Sequence, residues 1–229
     1  MCGFLFHRYN INGETLERQN PLRDLGVFYD GKLNFNAHVD AACKQMLGFI
    51  LRVGKHFKDP RIFVTLYCSL VRSHIEYCSI IWNPHTASQK LQIERVQHKF
   101  LRHISWKFSF QSDSDLNYFN IEQRLKIDSL ELRRIFADVK FIAKSYTNLI
   151  DNVTFQHNFR LSDPQHTTRS DEVFQLATGR TNVGKFSVIN RLMRNFNEFC
   201  NNRDILETQT DDFGLITTLI RTRFHNGQL

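Results

Sequence analysis

The sequence predicts a mainly α-helical chain: a helical bundle behind a small N-terminal β-hairpin remnant, with a helical extension at the C-terminus. Two patterns carry this. From Asn36 onward apolar residues recur at three- and four-residue spacing, the period of one helix face, while the turn-forming pairs Asn12-Gly13 and Asp30-Gly31 fall within the first 35 residues. At 229 residues, with 41% hydrophobic and 23% charged, the chain has the make-up of one ordinary globular domain or two small ones. That excludes wholesale disorder, a collagen-like repeat and a membrane-embedded bundle.

The elements follow in order. Tyr9, Ile11 and Leu16 flank Asn12-Gly13, whose tolerance of positive φ suits a tight hairpin turn. Leu25-Gly26-Val27-Phe28-Tyr29 reads as a further short strand closed by Asp30-Gly31. A first helix places Val39, Ala42, Cys43, Met46, Phe49, Ile50 and Val53 on one face. A second, capped by Asp59 with Pro60 behind it, carries Phe63, Leu66, Tyr67, Leu70, Val71, Ile75, Cys78 and Ile81, enough for a central, mostly buried helix that ends at Trp82-Asn83-Pro84. A third, over residues 88–104, divides into two faces. Ile93, Val96, Phe100 and Ile104 share the apolar one, and Arg95, His98, Lys99 and Arg102 fall within about one third of the circumference on the other.

A loop at residues 109–115 closes this part, so the sequence divides into a β remnant (1–35), a helical domain (36–110) and a helical extension (111–229). In the extension, Asp128-Ser129-Leu130-Glu131 has the form of a capping box opening a helix to about Thr147. Residues 150–187 are polar and irregular, with one strand at 173–178, and helices resume over 187–200 and in the last twenty residues.

Charge is unevenly placed. Of 30 Lys and Arg and 23 Asp and Glu, residues 1–110 hold 15 and 8, and residues 111–229 hold 15 and 15. Any polyanion contact therefore belongs to the first half, and the Arg95, His98, Lys99, Arg102 stripe is its best candidate, since cations at this spacing can follow a phosphate backbone. Other constellations are weaker. Gly179-Arg180-Thr181-Asn182-Val183-Gly184-Lys185-Phe186 nearly spells a phosphate-binding loop, but Phe186 stands where a Ser or Thr hydroxyl should reach Mg²⁺. Asp211-Asp212 lacks the aromatic residue and strand context of a polymerase metal site. His74 and Cys78 lie one helical turn apart with Cys68 pointing elsewhere, and no Cys-x-x-Cys occurs, so no metal and no cofactor are expected. An odd five cysteines without dense spacing, and an opening too short for a signal-peptide core, point to an intracellular chain with free thiols and no membrane partner, cytoplasmic or nuclear.

Four pieces in order resemble the end of the reverse transcriptase region of jockey-like, non-LTR (LINE-type) retrotransposons. They are Leu22-Arg23-Asp24-Leu25-Gly26-Val27-Phe28-Tyr29-Asp30-Gly31-Lys32-Leu33-Asn34-Phe35 with His38-Val39, Leu66-Tyr67-Cys68-Ser69-Leu70-Val71-Arg72-Ser73-His74-Ile75-Glu76-Tyr77, Ile81-Trp82-Asn83-Pro84, and Ile93-Glu94-Arg95-Val96-Gln97-His98-Lys99-Phe100-Leu101-Arg102. Leu130-Glu131-Leu132-Arg133-Arg134 through Asp138-Val139 extends the likeness. The resemblance implies that Leu25-Gly26 match the part of the palm that grips the primer end, and that the following helices form the thumb. It also implies that the metal-binding aspartates of the polymerase lie upstream of this sequence, leaving a fragment without catalysis. What remains to it is contact with RNA–DNA hybrid or duplex nucleic acid, or self-association through surface that the palm would cover. A helical protein-interaction module, or a functionless relic of a mobile element, is the alternative.

Overall fold

The computed structural model describes residues 9–15, 21–31, 33–53, 58–108, 117–147, 149–150, 157–162, 172–177, 182–207 and 213–226. Two hairpins come first. β1 (Asn10–Ile11) pairs with β2 (Glu14–Thr15), and β3 (Leu22–Asp24) with β4 (Val27–Tyr29), both antiparallel. Each is joined by two residues at positive φ, Asn12-Gly13 (51° and 85°) and Leu25-Gly26 (45° and 86°), the twist-matching turn that two-residue hairpins favour. Leu25-Gly26 is thus the turn rather than the start of a strand. Apolar character at Leu25 hid this; the residue is 80% exposed.

The helical part then begins. α1 (Asn36–Val53) buries Val39, Ala42, Cys43, Met46 and Ile50, the face expected from their spacing, against α5 (Ala87–Phe108). α2 (Pro60–Leu66) is capped by Asp59, whose carboxylate accepts from the Arg61 N–H at 2.8 Å. It continues through a π-helical stretch (Tyr67–Arg72) into α3 (Ser73–Glu76). Phe63, Tyr67, Val71 and Ile75 are all buried at strict four-residue intervals. In a pure α-helix each such step drifts by about 40°, and the wider π turns take that drift back, holding the four on one side. Leu70 and Ile81, expected inside, are exposed. The helix does not run to Trp82: Cys78 sits in the left-handed region (φ 54°) and a separate turn, α4 (Ser79–Trp82), follows.

α6 (Tyr118–Leu125), capped by Asn117, is a helix the sequence pattern does not reveal. α7 (Leu130–Tyr146) matches its expected span, but the cap is Ser129, whose hydroxyl accepts from the Leu132 N–H at 3.3 Å. Asp128 instead accepts two hydrogen bonds from Arg221 (3.0 and 2.7 Å). Glu94 of α5 completes the cap, accepting from the N–H groups of Leu130 and Glu131 at 3.3 and 2.5 Å. α8 (Asn182–Lys185), α9 (Val188–Phe199), α10 (Asp204–Glu207) and α11 (Phe213–Asn226) complete the chain.

The strand expected at 173–178 reduces to one bridge, Leu161 to Phe174. Asparagines take the place of a partner strand: Asn197, Asn201 and Asn190 accept from the N–H groups of Phe174, Val173 and Ala177 at 3.0 to 3.2 Å. Two apolar clusters result. One gathers residues from Val27 to Leu130, including Ile121 of α6; the other gathers residues from Leu132 to Ile220 around Phe174, Leu192 and Phe196. The seam therefore lies inside α7, later than the division at residue 110. Among the described residues the cysteines are free, and no helix is long and apolar enough to cross a membrane.

Candidate nucleic-acid interface

α5 is the element that presents the charged stripe, and its opposite face fixes how. Thr86, just before the helix, donates to Gln89 Oε1 at 2.7 Å and pins the first turn. Ile93, Val96, Gln97, Phe100, Leu101, Ile104 and Ser105 are then buried. The Phe100 ring stacks on Tyr67 (centroids 4.0 Å, planes 10° apart) and meets Phe63 at 5.0 Å. Gln97, fully buried, accepts from the Tyr67 hydroxyl at 2.7 Å and donates to Glu122 (2.7 Å) and to the Asp128 carbonyl (3.2 Å). With that side locked by both packing and directional bonds, the helix cannot roll without leaving buried polar groups unpaired.

The stripe faces outward as a consequence. Arg95, Lys99 and Arg102 are exposed, and none makes an ion pair among the described residues. The three are not equivalent. Arg102 donates through Nη2 to the Tyr118 hydroxyl at 2.9 Å, which steadies its guanidinium over α6. His98 leaves the stripe: it is half-buried, stacked on Tyr118 with centroids 4.0 Å apart and planes 4° apart. Burial pushes its pKa down, and the neighbouring Arg102 pushes the same way, so it is neutral at pH 7. Three cations, spread over about 10 Å of helix axis, are what α5 offers a polyanion.

Leu25 and Gly26 stand elsewhere, at the tip of the second hairpin. The Leu25 carbonyl accepts from the Tyr77 hydroxyl at 3.1 Å, and a side chain at Gly26 would meet the Tyr77 ring at 3.8 Å. The turn is thus held by the residue just after α3 and not by α5. Of the near-miss phosphate loop, Gly179, Arg180 and Thr181 lie outside the described residues. Phe186 stacks on His85 (4.4 Å, 17°), and the Gly184 carbonyl accepts from Asn190 Nδ2 at 2.6 Å. Asp211 and Asp212 also lie outside the described residues. No group of three His, Cys, Asp or Glu among the described residues is placed to hold a metal ion.

A second cationic location is a cavity of about 510 Å³ lined by Lys90, Arg134, Arg191, Arg194 and Arg223. Its charges are largely committed within the fold. Lys90 pairs with Glu131 (2.7 Å), Arg191 with Asp138 (3.1 Å), and buried Arg134 faces Glu94 at 3.6 Å. The open face of α5 is therefore the better polyanion surface.

Two residues of the site are missed by periodicity alone. Tyr118 belongs to α6, whose single buried residue, Ile121, gives no repeat to detect. Trp106 lies beyond residue 104, where the apolar pattern ends, yet α5 runs on to Phe108. Its spacing from Arg102, one further turn on the same face, is the signal that finds it. Comparison with protein-family models, with curated proteins and with solved structures gave no match.

Proposed function

We propose that this chain is the primer-grip, thumb and post-thumb part of a non-LTR retrotransposon reverse transcriptase, and that it binds nucleic acid without catalysing polymerisation. One observation carries the reading: an exposed face of α5 bearing Arg95, Lys99 and Arg102, without carboxylate partners among the described residues and held outward by a buried opposite face. Such a face neutralises phosphates in line, and phosphate contacts carry no sequence information, so binding through it is independent of sequence. The likeness of the segments around Leu66–Tyr77 and Ile93–Arg102 to the family thumb supports the same assignment.

The test is fluorescence anisotropy of a labelled RNA–DNA hybrid across a salt series. Affinity should fall steeply with salt. In the triple variant R95E/K99E/R102E it should weaken equally for unrelated sequences, with the log–log salt slope flattened by about 2 to 3. An unchanged slope would remove the stripe from the interface.

A second reading rests on exposed apolar residues. Leu25 and Tyr77 touch, and Leu33 and Ile81 line a groove of about 460 Å³ beside Trp82 and Pro84. If that surface is the functional one, the protein forms concentration-dependent oligomers in sedimentation and shows no salt-sensitive binding of nucleic acid.

A further inference from the structure

The α5 face does not end in a cation. Trp106, 71% exposed, follows Arg102 by four residues, as Lys99 follows Arg95. At 100° per residue, positions 95, 99, 102 and 106 fall within about 60° of arc, and they climb about 16 Å along the axis. The inner positions of the same turns are already filled by Leu101, Ile104 and Ser105, so the indole has no place in the core. Among the described residues it meets the His103 ring, tilted, with centroids 6.4 Å apart. The other tryptophan behaves in the opposite way. Trp82 is 1% exposed, and its ring N–H donates to the Tyr77 carbonyl at 2.7 Å.

We propose that α5 is a single-strand site: Arg95, Lys99 and Arg102 hold the phosphates of one strand, and the Trp106 indole stacks on an unpaired base at its end. This rests on the reading of α5 as the nucleic-acid interface and adds its substrate class. Cations alone do not distinguish paired from unpaired strands, since both carry phosphates. A free aromatic face does. Bases inside a duplex already stack on their neighbours, whereas an unpaired base offers its π-face to a ring regardless of its identity. A line of three charges followed by one ring is matched by a strand that supplies phosphates and then an unstacked base, such as the overhang next to a paired end.

The chain contains two tryptophans, and the buried one is shielded, so a change in emission on adding nucleic acid reports Trp106. The purified full chain is titrated with an unlabelled oligothymidylate and, separately, with a blunt duplex of equal length, while anisotropy follows labelled versions of both. The expected result is saturable quenching by the single strand and little by the duplex. W106A should then weaken single-strand binding at least about fivefold, leave duplex binding unchanged, and keep the salt slope, because stacking releases no counterions. Trp82 emission in W106A checks that the variant is folded. Salt-sensitive binding with no quenching, or with W106A at wild-type affinity, overturns the single-strand assignment and leaves the phosphate-binding reading standing. Absence of salt-sensitive binding to either probe overturns both.

Discussion

Glu122 shows at the scale of one residue how the interface is tied to the interior. Its carboxyl accepts from Gln97, the residue that locks the roll of α5, and burial pushes its pKa from the ordinary 4.5 to about 7. The Gln97 hydrogen bond opposes the shift, and the charges of Glu94 and Asp128 add to it. Between pH 4.5 and 7 the folded chain therefore keeps a proton that the unfolded chain has released. Stability should fall as pH rises through that window and level off above it. Because the group is partly solvated, the loss attributable to it is roughly 1 to 2 kcal/mol. Glu122→Gln, which retains an acceptor for Gln97 and cannot ionise, should flatten the difference between urea midpoints at pH 5 and pH 8. An equal pH dependence in the variant would show that Glu122 ionises freely in the fold.

At the scale of the element, helix ends account for much of what happens between α5 and α7. α6 ends on Lys126, an exposed residue held in the left-handed region (φ 55°) at the C-cap, where glycine fits without a side-chain penalty. Lys126→Gly should raise stability by roughly 1 kcal/mol, read from chemical denaturation, and a loss would mean the lysine contributes more than its backbone costs. The faces of α1 and α5 are legible in the sequence because each repeats its apolar residues over about three turns. The start of α7 is legible only in part, since Ser129 supplies one local cap while Glu94 supplies the other from 36 and 37 residues away. The single bridge at Phe174 is illegible for a like reason: its backbone partners are asparagine side chains of a later helix and of the turn after it. Of the candidate site, the three cations follow from spacing. The removal of His98 depends on Tyr118, a residue twenty positions on, and no local pattern announces that stack.

At the scale of the whole molecule, α7 joins the two apolar clusters, and one buried carboxylate fastens the junction. Asp138, with no solvent exposure, accepts from Arg191 Nε (3.1 Å), Asn195 Nδ2 (2.8 Å) and Asn83 Nδ2 (3.5 Å). Arg191 also donates to the carbonyls of Asn83 and Ile80, so α9 is bonded at once to α7 and to the end of α4. Burial pushes the Asp138 pKa up, and the Arg191 charge holds it back. Asp138→Ala strands a part-buried guanidinium and should cost about 3 to 5 kcal/mol in urea unfolding followed by circular dichroism. A cost below about 1 kcal/mol would mean that the apolar contacts alone join the halves.

The four-residue cadence of Phe63, Tyr67, Val71 and Ile75 gives the helix that carries them slack in its own length. The π-helical turns accommodate extra chain between the first and last of these side chains. Deleting one residue from 67–72 would leave an ordinary α-helix there, with Ile75 eleven steps after Phe63 and within about 20° of its present side. Ile75 would still face the first core, and Tyr77 would still meet the hairpin tip. The spare residue is a buffer in the burial pattern, and its loss straightens the helix without being passed downstream.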